Sequence, residues 1–256
     1  MTLARTEFKL RYFGSVLGYL WSLMRPLLFF GVLYVVFTQI FNIGAGVPHY
    51  GVYLLTSIVL WTYLAEATLG CVSCLVQREA MLRKIRFPRM VIPLSVSLTS
   101  LFNLGMNFIA VIVFALANGI EPTWSWLEMI PIIGAFVMLA TGLGMLLAAL
   151  YVRFRDVQPI WEVALQAWFY CSPVMYVASK YAGLSENFQH LAMLNPAATL
   201  LSAMGHAFID PEAMPDVGYL AGSAWIPLVA LGMIPVIFAL GWWVFTREAP
   251  RVAENL

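Results

Sequence analysis

Few residues in this chain could make or break a covalent bond. Glu66 stands inside a long apolar run, and a carboxylate at membrane depth is costly enough to be a functional candidate by default. Two roles fit it: lining a water-filled cavity, or bonding between helices in protonated form. Asp156 and Glu162 lie near the start of another apolar run. Asp156 sits beside Arg153 and Arg155, which predicts a structural ion pair in preference to a catalytic acid. Cys71 and Cys74 have the C-x-x-C spacing of a redox or metal pair. Both lie in apolar sequence with no further Cys or His nearby, so they read as small buried hydrophobes. His49, His190 and His206 are scattered without ligand spacing. There is no G-x-x-x-x-G-K-[ST], no G-x-S-x-G and no H-E-x-x-H. Gly142 and Gly144 read as a helix-packing pair. The expectation is no catalytic residue and no metal site.

Aromatic side chains are the more informative group. Trp161, Trp168, Phe169 and Tyr170 crowd one apolar run, and Tyr176 follows. Trp and Tyr at the ends of a membrane span form an ordinary interfacial belt. Trp168, Phe169 and Tyr170 lie too deep in the run for that. Aromatic faces stack on sugar rings, so these residues could line a conduit for a glycan. They could equally pack against neighbouring helices.

The elements that position them follow from composition. The chain is 62% hydrophobic and 11% charged, against roughly 25% charged residues in a soluble domain. No globule of this size could bury so much apolar surface, so lipid must solvate much of it. A bilayer core takes ~20 apolar residues per helix. Six segments qualify: 22–42, 51–75, 91–117, 129–151, 157–178 and 224–246. The predicted fold is an all-α polytopic membrane protein, a single domain over 1–256. The stretch 190–209 is interrupted by His190, Asn195, Pro196 and His206, and reads as re-entrant or interfacial. Every Lys and Arg except Lys180 falls on one side of these spans, while the opposite loops carry Glu121, Glu128, Glu186, Asp210, Glu212 and Asp216. Positive loops stay cytoplasmic, so both termini are expected there. The amino terminus does not read as a cleaved signal peptide, because its apolar run starts too late. A net charge of +1 excludes a nucleic-acid partner.

Two polar-flanked segments remain. In 2–20, Leu3, Leu10, Phe13, Leu17 and Leu20 form a helical stripe opposite Thr2, Arg5 and Lys9. Such a helix lies in the membrane interface. In 77–89, Arg78, Arg83, Lys84, Arg86 and Arg89 are mixed with Glu79, Leu82, Ile85, Phe87 and Pro88. A short helix ending before Pro88 would show charged and apolar side chains together. That surface could dock a partner, or the charge could serve topology alone.

The order of motifs resembles one family along essentially the whole chain: the membrane subunits of type-two ATP-binding-cassette exporters, specifically the polysaccharide-export permeases. The resemblance rests on R-Y-F-G-S-V-L-G-Y-L-W at 11–21 with Pro26, I-R-F-P-R at 85–89 with Pro93, V-R-F-R-D-V at 152–157, S-P-V-M-Y at 172–176, L-N-P at 194–196 and F-T-R-E-A-P-R-V-A-E at 245–254. It implies a bacterial inner-membrane permease in which 2–20 is an interface helix and 77–89 is the segment that docks on the ATPase. Arg78, Glu79, Arg83, Lys84, Arg86, Phe87, Pro88 and Arg89 would make that contact. The 177–220 region would hold two short re-entrant helices that gate the exit, with Asn195-Pro196 as the bend between or before them; the gate residues would be Pro173, Tyr176, Asn195 and Pro196. The family implies a homodimer above two ATPase chains, which bind ATP and magnesium, so this chain is itself no enzyme. The expected cargo is a lipid-linked polysaccharide of O-antigen, teichoic-acid or galactan type. Its channel would be lined by Tyr34, Trp161, Trp168, Phe169 and Tyr170. The rivals are a drug or lipid exporter of the same build, and a lipid-modifying membrane enzyme using Glu66 or Asp156.

Overall fold

The computed structural model describes residues 20–42, 47–78, 88–183, 185–209, 214, 217–223 and 225–248. The interface helix expected before Leu20 lies outside them. So do Glu79, Arg83, Lys84, Arg86 and Phe87 of the expected docking segment.

Among the described residues every regular element is helical. α1 is Leu20–Val35, continued by a π-turn at Val36–Ile40. α2 is Tyr50–Val72 and the short α3 is Cys74–Gln77. α4 is Val91–Ala117. α5 is Met129–Arg153, entered through a 3-10 turn at Trp124–Glu128. α6 is Val157–Cys171. A 3-10 turn at Ala178–Gly183 leads to α7, Glu186–Met193, and α8, Pro196–Phe208. α9 is Val217–Leu220 and α10 is Trp225–Glu248.

Five of these are long and apolar enough to cross a membrane: α1 with its π-turn, α2, α4, α5 with its 3-10 turn, and α10. Their limits fall within a few residues of the predicted spans. The predicted fifth span, 157–178, is the exception. Its helix has 15 residues, about 22 Å at 1.5 Å per residue, short of a ~30 Å hydrocarbon core. The cause is local. Pro173 has no N–H and forces the residue before it out of helical geometry, and Ser172 is extended at φ −105°, ψ 148°.

α2 is the axis of the bundle. Its residues from Val52 to Trp61 are all buried, and it packs against α1, α4, α5 and α6. A helix apolar on every face belongs in such a position. α10, by contrast, turns Leu228, Val229, Val236, Leu240 and Trp243 outward, as a helix facing lipid does.

Between apolar helices in lipid the hydrophobic effect offers no drive, so close backbone packing must supply the contact. The two glycines of 142–144 do this toward different partners. A Cβ on Gly142 would meet Phe238 Cα of α10 at 2.6 Å, and one on Gly241 would stand 2.1 Å from the Gly142 carbonyl oxygen. A Cβ on Gly144 would lie 2.9 Å from Cys71 Sγ of α2. Below them Cys74, Leu75, Ile92, Met145, Ala148, Ala149 and Phe245 form one cluster. α3, the start of α4 and the ends of α5 and α10 therefore share one end of the bundle, the end that also carries Arg78, Arg89 and Arg153.

Candidate functional site: an aromatic groove beside a broken helix

α6 is amphipathic in an unusual sense. One side packs on α2 through Leu165, which is buried. The other carries Glu162, Gln166 and Tyr170 at intervals of four residues, hence on one face. These three, with Leu165 and Phe169, form one wall of a groove of about 530 Å³. The facing wall is Trp61, Ala65 and Leu69 of α2, again four apart, and Phe29 of α1 closes the side. Gln158 lies one turn before Glu162 and donates its amide to the carboxylate, 3.1 Å.

The four aromatics predicted on α6 divide into two kinds. Trp161 and Trp168 turn their indole N–H groups inward. Trp161 donates to Thr68 Oγ1 on α2, 3.1 Å, and Trp168 donates to Asn195 Oδ1, 2.8 Å. Phe169 and Tyr170 meet edge-on at 5.4 Å and line the groove. Trp61, which sequence reasoning missed, joins the two sets: its ring lies 5.6 Å from both Trp168 and Phe169. Phe29 completes the cluster at 6.2 Å from Phe169. Tyr34 is not brought into this group. Its ring stacks on Phe30 at 5.5 Å and fits the space left by Gly51.

Where α6 stops, its last carbonyls lose their helical partners, and unpaired backbone at membrane depth costs several kcal/mol per group. Tyrosines take up the loss. Tyr53 of α2 donates its hydroxyl to the Pro173 carbonyl and lies 3.3 Å from that of Tyr176. Tyr50, one turn earlier, donates to the Met175 carbonyl. Tyr176 donates to the Tyr170 carbonyl, 3.1 Å, and Tyr181 to that of Cys171, 3.3 Å. The two hydroxyls lie 2.9 Å apart.

The predicted gate residues meet at this break. Asn195 caps α8 by accepting from the Ala197 N–H, 3.1 Å, with Pro196 at the first helical position. The same Oδ1 holds Trp168, and the Asn195 amide donates to Ser172 Oγ, 2.9 Å. One side chain thus ties the start of α8 to the end of α6. Pro173 is buried and Tyr176 half-buried beside it.

At the basic end, Arg78 donates to Ser95 Oγ, 3.4 Å, and to the Ile92 carbonyl, 3.5 Å. Pro88 and Arg89 lead into α4, whose first turns bond back to their carbonyls. Glu66 takes the second of its two expected roles in part: Asn103 of α4 donates to its Oε2, 3.2 Å, so the acid bonds between helices. The predicted ion pair of Asp156 is not formed. Arg155 lies over the Tyr151 ring at 5.0 Å and Arg153 over the Phe154 ring at 5.5 Å. Each guanidinium keeps its hydration while covering an apolar ring, which leaves Asp156 exposed. Among the described residues no group of His, Cys, Asp and Glu could hold a metal ion.

Among the described residues the arrangement is a membrane bundle with a mixed aromatic and polar groove. Comparison with known proteins gives its family. The family model described as ABC-2 type transporter matches residues 1–209. The O-antigen export system permease protein RfbA of Myxococcus xanthus is 31% identical over 239 residues, 93% of this chain and 90% of that protein. The permease of the same name from Klebsiella pneumoniae is 28% identical over 261 residues, 100% of this chain and 94% of that protein. The chain is a multi-pass membrane protein that belongs to the ABC-2 type transporter family.

Proposed function

We propose that this chain is the membrane subunit of an ATP-driven exporter that carries a lipid-linked polysaccharide of O-antigen type across the bacterial inner membrane. The observation that carries the reading is the groove between α1, α2 and α6, which offers aromatic faces and hydrogen-bonding groups along one channel-like wall. The likeness to O-antigen export permeases over nearly the whole chain supports the cargo. Two copies of this chain would face each other across α1 and α6, so that the exposed side of each groove closes on the other. Leu28, Val32, Ile160 and Val163 are exposed on those helices, in keeping with that face being covered.

In this reading α6 and the extended segment after it make the fifth of six crossings, and α7 and α8 are the re-entrant pair that gates the exit. Both termini face the cytoplasm, as the distribution of Lys and Arg requires. Residues 77–89 dock on the ATPase subunit, of which there are two, and that subunit binds ATP and magnesium. Nucleotide-driven movement at the docking segment reaches the gate through α2, because Tyr50 and Tyr53 at its far end hold the broken segment after α6.

The test is co-purification of the tagged chain in mild detergent. A stoichiometric partner with a phosphate-binding P-loop is expected, and reversing Arg83, Lys84 and Arg86 to Glu should release it. Recovery of the chain alone, where a control exporter stays whole, would refute the reading. Phe169→Ala with Tyr170→Ala should abolish export from cells; full export would remove these residues from the path.

A further inference from the structure

Within the export reading, which this inference rests on, the groove also specifies a class of cargo. Its polar groups form a lane along α6. Glu162, Gln166 and Tyr170 follow one another at a rise of ~6 Å. Among the described residues the Gln166 amide and the Tyr170 hydroxyl have no hydrogen-bond partner, and the Glu162 carboxylate has only Gln158, at one oxygen. The lane therefore offers a charged acceptor, a group that both donates and accepts, and a hydroxyl. Trp61 stands opposite and Phe169 lies beside the lane on α6, and the negative face of an aromatic ring suits the weakly positive C–H face of a sugar. Among the described residues no lysine, arginine or histidine lines the groove.

We infer that Glu162 and Gln166 select an uncharged glycan chain and disfavour a polyanionic one. Sugar hydroxyls can donate to Glu162 in charge-assisted bonds, while Gln166 and Tyr170 accept the next unit along. A phosphate or uronate at the same place would face the Glu162 carboxylate with no cation among the described lining residues to offset it. A half-enclosed apolar groove screens that repulsion less than open water does. In a dimer closed across α6 the carboxylate would appear twice, doubling the bias.

The experiment uses the complex of this chain with its ATPase in proteoliposomes. Two substrates are compared on one lipid carrier: a neutral oligosaccharide and an oligo(glycerol phosphate) of equal length. The readout is the ratio of ATP hydrolysis that each stimulates. The neutral cargo should win by ~5-fold or more, Glu162→Gln should bring the ratio close to one, and Glu162→Lys should carry it to one or below. Raising salt to ~0.5 M should narrow the wild-type ratio. Should Glu162→Lys fail to assemble, Gln166→Glu adds a second carboxylate to the lane and should widen the ratio. Equal stimulation by both cargoes overturns the inference, as does a ratio indifferent to Glu162 and Gln166. Stimulation by the carrier lipid without sugar, to the same extent, overturns it too, since the groove would then hold lipid. No stimulation by any substrate, with no ATPase bound, would instead be the failure of the export reading itself.

Discussion

The seam between α5 and α10 and the flank formed by α1 and α6 lie in the same bundle and are built on opposite terms. At the seam, two glycines bring backbones together until a Cβ would stand 2.1 Å from a carbonyl oxygen. Nothing there is left for a ligand. Along the flank, large side chains hold the helices apart. Phe29, Trp61 and Phe169 touch at ring edges and leave about 530 Å³ between them. Small residues make a joint and large ones make a space. In a membrane, where burial itself drives neither, residue size decides which parts are fixed and which can admit cargo.

The comparison is sharpest at Gly241. Gly241→Leu must drive α10 off α5 against backbone atoms that have no alternative position, at a cost of ~3 kcal/mol or more. Loss of folded protein on size-exclusion in detergent is the expected result; a wild-type profile would show that the seam is not a fixed joint. Asn195→Ala comes next. It removes the α8 cap and the partners of Trp168 and Ser172 together, for ~2–3 kcal/mol in thermal unfolding. Tyr53→Phe deletes one hydroxyl and strands the carbonyls it serves, for ~1–3 kcal/mol. Its more telling readout is faster thiol labelling of Cys171, because the segment after α6 loses a tether. The smallest effect belongs to Glu66→Gln. A glutamine oxygen can still accept from Asn103, so the change should stay below ~1 kcal/mol with export intact. A loss of export there would mean that the acid itself, and not its bond, is in use.

Sequence reasoning reached the α4 span to the residue and the other long spans to within a few, because length and hydropathy are what a bilayer constrains. It overran α6 by seven residues. Apolarity continues from Cys171 to Ala178, and only Pro173 signals that the helix cannot. The aromatic cluster was legible as composition, yet the division of labour within it was not. That Trp161 and Trp168 point their N–H groups inward depends on Thr68 and Asn195, which are 93 and 27 residues away in the chain. Trp61 and Phe29 were missed for the same reason: their role exists only once α1, α2 and α6 are neighbours. Tyr50 and Tyr53 did carry a local signal, two tyrosines three apart at the mouth of a span. So did Gln158, Glu162, Gln166 and Tyr170, a four-residue polar repeat in an apolar run. The pairing of Asp156 with its flanking arginines failed because proximity in sequence took no account of Tyr151 and Phe154, which compete for the same guanidiniums.

The close contact at Gly142 also bears on how the protein is made. α10 follows α5 by 71 residues in the chain, so α5 enters the membrane with one flank still unpaired. Until α10 arrives, the bare backbone at Gly142 faces lipid and attracts any helix with a small residue at the right height. A ribosome that pauses between Arg153 and Trp225 therefore holds open a docking slot that insertion chaperones can guard, and that a stray span from another protein can occupy. Premature termination before Gly241 should mark the product for membrane proteolysis, even though every helix lining the groove has already been synthesised.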